Sequence, residues 1–208
     1  MGWKGICVEA HPDYYTDLKK NRDSSLTRSL HCAVGDKNGD VEFYANYRGS
    51  LSTLNPNLNE FYKRNYNGYY LGSEIKADVN GYRNGKLTIK GNTLDNIIEE
   101  NRDILGDSID FMTIDVDGSE ELLLKEFTIL KSNPRIIMLE YSVVPQVVIE
   151  YMKNTKYELL FYNSTNLIYC RDVEDKLKLN STLRSYDFSK ISEVLEKVSL
   201  KCGVDKSH

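Results

Sequence analysis

Four acidic residues stand where apolar runs end, and they are the residues best placed to do chemistry. Gly5-Ile6-Cys7-Val8 ends in Glu9, Ile109-Asp110-Phe111-Met112-Thr113-Ile114 ends in Asp115, and Arg135-Ile136-Ile137-Met138-Leu139 ends in Glu140. A further run, Leu30-His31-Cys32-Ala33-Val34, leads into Gly35-Asp36. In open α/β sheets ligands bind beyond the carboxyl ends of the strands, so this recurrence is the main functional signal. Glu9 can accept both vicinal hydroxyls of a ribose, or it is a solvated strand-end acid. Asp36 can lie near an adenine edge, or Gly-Asp-Lys-Asn-Gly is simply a turn. The densest cluster is Asp115-Val116-Asp117-Gly118-Ser119-Glu120-Glu121. Within it Asp115 is read as functional, and Asp117 as a helix cap with Glu120 three residues on. Asp115 and Asp117 together could also hold a divalent cation, since such ions take hard oxygen ligands. Asp-x-Asp after an apolar strand is the pattern of manganese-dependent glycosyltransferases.

Other chemistries are excluded. His11, His31 and His208 have no metal-ligand spacing, and neither a Gly-x-Ser-x-Gly elbow nor a Walker loop occurs. His31, inside an apolar run, is read as a packed core histidine. The four cysteines (Cys7, Cys32, Cys170, Cys202) form no CxxC, which argues against zinc and for a reducing compartment.

The elements that must position these acids follow from periodicity. Short apolar runs bounded by Gly and Pro predict buried strands, and helical patterns follow Pro12, Thr93, Gly118 and Val143. Thr93 is the expected N-cap of its helix. Val41–Tyr44 alternates as a half-buried strand. Residues 45–91 are rich in Asn, Gly and Tyr and read as an excursion from the core. It would hold a short helix near Leu58–Tyr62 and a hairpin pairing Glu74–Val79 with Lys86–Lys90. Tyr157–Tyr162 and Leu167–Cys170 predict a closing antiparallel pair, and an amphipathic helix is expected from Asp187. The result is an α/β fold with a mostly parallel sheet and an antiparallel edge, a domain over 1–175 and a docked helical tail over 176–208.

The chain has 208 residues, 28% of them charged, and a net charge of −4. That balance speaks against a generally basic nucleic-acid binder, and no apolar run approaches the ~20 residues that span a bilayer. The cytoplasm is the expected location, with no membrane partner.

Four blocks, in order, resemble FkbM-type methyltransferases. They are Gly2-Trp3-Lys4-Gly5-Ile6-Cys7-Val8-Glu9-Ala10-His11-Pro12, Ala33-Val34-Gly35-Asp36-Lys37-Asn38-Gly39, Asn92-Thr93-Leu94-Asp95, and Ile109 through Glu120. The resemblance covers roughly residues 2–170. It implies a Rossmann-like class I methyltransferase sheet, S-adenosylmethionine as cofactor, and commonly O-methylation of a sugar or other small-metabolite hydroxyl. By position it implies that Glu9 holds the cofactor ribose and that Asp36 and Ala33 lie near its adenine. Asp115 would be the catalytic base and Glu140 would line the acceptor side. The tyrosines between Tyr62 and Tyr82 would form an acceptor-binding lid over a small-molecule or glycan substrate, or else a variable surface hairpin. Two departures stand out. Asp117 replaces the family's usual Glu, and the family's first strand and glycine-rich loop, expected before Trp3, are absent. That strand would lie between those ending in Glu9 and Asp115, so the sequence reads as a fragment, as a fold in which something else fills the gap, or as one that no longer binds the cofactor, and an open gap would invite pairing with another copy. A non-catalytic pseudo-methyltransferase module is therefore one alternative reading, and the manganese-dependent glycosyltransferase is the other.

Overall fold

In a computed structural model of the chain, the residues described are 2–46, 51–65, 76–77, 83–140, 145–162 and 165–182. The order along the chain begins β1 (Gly5–Glu9), α1 (Pro12–Arg22), β2 (Thr27–His31), β3 (Ala33–Val34), β4 (Gly39–Ala45). It continues α2 (Pro56–Asn65), β5 (Lys76–Ala77), β6 (Arg83–Asn92), α3 (Leu94–Glu100), α4 (Arg102–Leu105), β7 (Phe111–Ile114). Then come α5 (Glu120–Glu126), α6 (Ile129–Ser132), β8 (Ile136–Glu140), α7 (Pro145–Lys153), β9 (Glu158–Tyr162), β10 (Asn166–Cys170) and α8 (Val173–Thr182). The fold is mixed α/β with parallel and antiparallel pairs.

The chain divides into two compact units, one of residues Met1–Ile109 with Val116–Asn133 and the other of Asp110–Asp115 with the chain from Pro134. In the first unit β1, α1 and β2 form a parallel crossover, with Glu9 opposite His31. α1 starts cleanly because Pro12 needs no N–H partner, Asp13 lies in the first turn, and Lys19, Lys20 and Arg22 lie in the last. β6 carries the other sheet of this unit, parallel to β3 and antiparallel to β4. Alternation puts Phe43, Ala45 and Leu87 into a buried cluster, against which Ala10, Leu54 and Ile89 pack. Lys86 and Lys90 pair with Glu42 and Asp40 on the opposite, wet face. Gly91 is required where β6 meets both partners, since a Cβ there would sit 2.6 Å from Val41 Cγ1 and 3.1 Å from the Lys37 carbonyl.

The second unit holds a sheet in the order β7-β8-β10-β9, parallel at β7/β8 and antiparallel beyond. Ile137 and Leu139 of β8 are fully buried, as the central position of an apolar strand demands. Arg135 ties this sheet to α8, donating from Nε and Nη2 to the Asp175 carboxylate at 3.1 and 2.7 Å and from Nη1 to Asp110 at 2.9 Å.

Several expectations hold and some are corrected. Strands ending in Glu9, Ile114 and Glu140 form, as do the β9/β10 pair and the Thr93 cap, whose hydroxyl accepts from the Asn96 amide. The expectation of buried strands is corrected at two of them: β7 starts at Phe111 with Phe111 and Thr113 exposed, and β1 is half-buried throughout. The single strand expected over Leu30–Val34 is two, broken at Cys32: β2 pairs with β1, while β3 pairs with β6. Residues 86–90 pair with β4, a register that sets Phe43 opposite Leu87 in the core, and of the segment 74–79 expected across the hairpin only 76–77 lie among the described residues. Asn84-Gly85 lies inside β6, and among the described residues β5 pairs antiparallel with its first two, Lys76 opposite Asn84 and Ala77 opposite Arg83. His31 is exposed rather than packed in the core. Free Cys32 and Cys170 are buried and Cys7 is half-buried, and burial pushes the Cys32 thiol up to about 11. Tyr62 is buried on α2, whereas Tyr66, Tyr69, Tyr70, Tyr82, Cys202 and the helix expected from Asp187 lie outside the described residues. Among the described residues β1 pairs only with β2, and β7 only with β8.

The Arg135–Asp175 pair has a pH signature. The guanidinium holds the Asp175 carboxyl below the usual carboxylate range. A folded-state value depressed below the unfolded one gives stability that is present above the unfolded value, about 3.9, and is lost as pH falls through the folded one. Acid unfolding followed by circular dichroism should therefore lose part of its slope below about pH 4 in Asp175→Asn. An unchanged slope would remove the pair from the acid response.

Candidate active site

A strand that turns directly into a helix must reverse its backbone within a few residues and satisfy amides that have no intrahelical acceptor. The chain does this after β1 and again after β7, and both turns carry candidate acids.

After β1, the backbone N–H of His11 donates to Glu9 Oε1 at 2.7 Å, and His11 Nδ1 accepts from the Asp13 amide at 3.3 Å as the N-cap of α1. The His11 ring is buried and lies 4.6 Å from the Tyr14 ring, centroid to centroid. His31, opposite Glu9 on β2, reaches the Ala10 carbonyl through Nε2 at 3.1 Å. A carbonyl only accepts, so Nε2 carries the proton. The Tyr15 ring stacks on His31 with centroids 4.8 Å apart and planes 12° from parallel. Glu9 is half-buried, its carboxylate held by the turn that follows its own strand.

The block beginning at Ala33 lies in the same unit. Ala33 is buried in β3, Gly35 is buried, and Asp36 is exposed in the turn beyond. The Gly35 amide donates to the Asn92 carbonyl at 3.1 Å, and the Thr93 amide donates to Asn38 Oδ1 at 3.0 Å. Two motif blocks more than fifty residues apart in sequence are thus joined. Asp95 accepts from the Thr128 amide at 2.9 Å, a structural role in bracing the start of α6.

After β7 the turn runs through two successive left-handed residues, Asp117 (φ 48°) and Gly118 (φ 80°). A non-glycine residue held there is strained, and such strain collects at functional turns. The cap reading of Asp117 is corrected: Ser119 occupies the N-cap position of α5, and its hydroxyl does not cap. Ser119 Oγ instead accepts from the Leu54 amide at 3.1 Å and shares a hydrogen bond with Thr53 Oγ1 at 3.2 Å. Buried Glu120 reaches back, its Oε1 accepting from the Val116 amide at 3.3 Å. Thr53 Oγ1 accepts from the Asn55 amide, and Asn55 Oδ1 accepts from the Asn57 and Leu58 amides to start α2. Within the expected excursion Ser52 and Thr53 are therefore buried, and residues 53–55 are bound to the strand-end turn. Nothing in the composition of residues 45–55 signals this, because a buried hydroxyl pair has no periodicity.

In the second unit the parallel register Ile114–Leu139 carries Asp115 and Glu140 out at the same edge of neighbouring strands. One carboxylate oxygen of each lies within 4.8 Å of one of the other's, with Asp115 exposed and Glu140 half-buried. The pair offers oxygen acceptors to a hydroxyl proton.

Ser119→Ala leaves the Leu54 amide and the Thr53 hydroxyl without their buried partner. It should cost about 1–3 kcal/mol in denaturant unfolding. A loss below about 0.5 kcal/mol would show that the 53–55 segment is not held through this hydroxyl.

The family model of the methyltransferase FkbM domain matches residues 1–189. No curated protein and no solved structure shows a significant match to the chain. Among the described residues no helix is long and apolar enough to cross a membrane. The order of the strand-end acids, the joined motif blocks and this match lead to one assignment: the chain belongs to the FkbM methyltransferase family.

Proposed function

We propose that the protein is an S-adenosylmethionine-dependent methyltransferase acting on a hydroxyl of a sugar or another small metabolite, built on a class I methyltransferase-like sheet. The observation that carries this reading is the family match over residues 1–189. The donor set after β1 supports the cofactor: a half-buried carboxylate at a strand's carboxyl end, with one oxygen on a backbone amide, suits vicinal ribose hydroxyls. Asp36, exposed beyond buried Gly35, suits the neighbourhood of an adenine edge. Ala33 is buried in β3 and would act through its strand rather than its side chain. When bound, S-adenosylmethionine supplies an electrophilic methyl group on sulfur.

The residues of the chain then have few tasks. Glu9 binds and orients. Asp115 accepts the proton that an acceptor hydroxyl gives up as its oxygen gains the methyl, and Glu140 lines the acceptor side and is the second candidate base. The family match favours neither a manganese-dependent glycosyltransferase built on Asp115 and Asp117 nor a non-catalytic module.

Calorimetric titration of S-adenosylhomocysteine into the folded chain tests the reading. Glu9→Ala should weaken binding roughly tenfold or more, the worth of a hydrogen bond to a charged group. Asp115→Asn should keep cofactor affinity and lose turnover on a responsive hydroxyl acceptor. A folded chain that binds neither S-adenosylmethionine nor S-adenosylhomocysteine would overturn the assignment of cofactor.

A further inference from the structure

The Ala10 carbonyl and the His11 amide belong to one peptide group, and that group is held at both ends. His31 Nε2–H donates to the carbonyl at 3.1 Å, and the amide donates to Glu9 Oε1 at 2.7 Å. None of the described peptides is cis, so in this planar trans unit the two bonds point in opposite directions along one dipole. A donor on the carbonyl oxygen withdraws electron density through the amide and makes its N–H a stronger donor. The unit cannot rotate to another partner without breaking both bonds.

His31 is also exposed, so burial gives no reason for its ring to be fixed. It is fixed nonetheless, by stacking on Tyr15 of α1. Tyr15 follows Pro12 by three residues, and its amide donates to the His11 carbonyl at 2.8 Å, so the helix that sets the stack starts from the same turn. Strand β2, helix α1 and the turn after β1 therefore converge on a single carboxylate.

We propose that His31 is a positioning residue for Glu9, acting through the Ala10–His11 peptide, with Tyr15 setting the plane of its ring. Glu9 Oε1 is committed to the turn, and Oε2 is the oxygen presented to ligand. The inference deepens the proposed cofactor site and rests on that reading for its functional consequence; its structural claim has a readout of its own. His31 touches no ligand in this account, so the effect is on affinity through the pose of Glu9 and not through a lost contact.

The test compares the full chain with His31→Ala, which removes the donor, and His31→Gln, whose side-chain amide restores it. In ¹⁵N-labelled protein the His11 amide proton should shift as the Glu9 carboxylate is protonated. That excursion should shrink in His31→Ala and return in His31→Gln. In parallel, S-adenosylhomocysteine should bind roughly threefold to tenfold more weakly to His31→Ala, with most of the loss recovered in His31→Gln. Adding His31→Ala to Glu9→Ala should cost little more. An undiminished His11 excursion in His31→Ala overturns the positioning role. Absence of S-adenosylhomocysteine binding by the unaltered chain overturns the cofactor reading instead, while the His11 signal still decides the role of His31.

Discussion

The molecule is organised by the need to pass from a parallel strand into a helix within a few residues without stranding backbone amides. After β1 the solution is a carboxylate and an imidazole: Glu9 takes the His11 amide, and His11 Nδ1 takes the Asp13 amide. After β7 it is a pair of left-handed residues, Asp117 and Gly118, with Glu120 reaching back to Val116. In both turns side chains replace the acceptors that a helix's first turn lacks. Glu9, at the end of β1, serves the turn with one oxygen.

Packing makes the first turn and the 53–55 segment one object. Ala10, next to Glu9, and Leu54, whose amide Ser119 holds, both pack on the cluster of Phe43, Ala45 and Leu87. Leu54 Cδ1 also lies 3.1 Å from where a Gly35 Cβ would be, so the Gly35 block is shaped around it. Residues from four separate stretches of sequence thus meet within one unit around a small apolar cluster. In the other unit, Asp115 and Glu140 come together through β7/β8 register alone. That register is fixed by the burial of Ile137 and Leu139 on β8, since a slip of one residue would turn one strand's side chains to the other face.

What the sequence made legible was what repeats. The short runs ending in Glu9, Asp115 and Glu140 are strands because so few apolar residues, without helical spacing, have few other uses, and the Thr93 cap is local chemistry. What it concealed was pairing. Asn80-Gly81 and Asn84-Gly85 are strong turn signals, yet β6 runs straight through Asn84-Gly85 because Leu87 finds Phe43 across β4. The break at Cys32 is invisible in an unbroken apolar run, since it arises from β2 and β3 choosing different partners. His31 and Ser119 were missed as site residues for the same reason: their importance lies in which backbone atom each reaches, Ala10 O and Leu54 N. Asp117 read as a cap because it precedes Glu120 by three residues, but its backbone is left-handed and Ser119 takes the cap position.

The central claim is that the turn after β1 is a nucleoside-binding turn organised around Glu9. The most direct measurement is an amide chemical-shift map of the labelled chain with and without S-adenosylhomocysteine. The account predicts the largest changes at Glu9, Ala10 and His11, with a second group at Gly35 and Asp36. Saturable changes confined to other parts of the chain, leaving residues 9–11 unmoved, would contradict it.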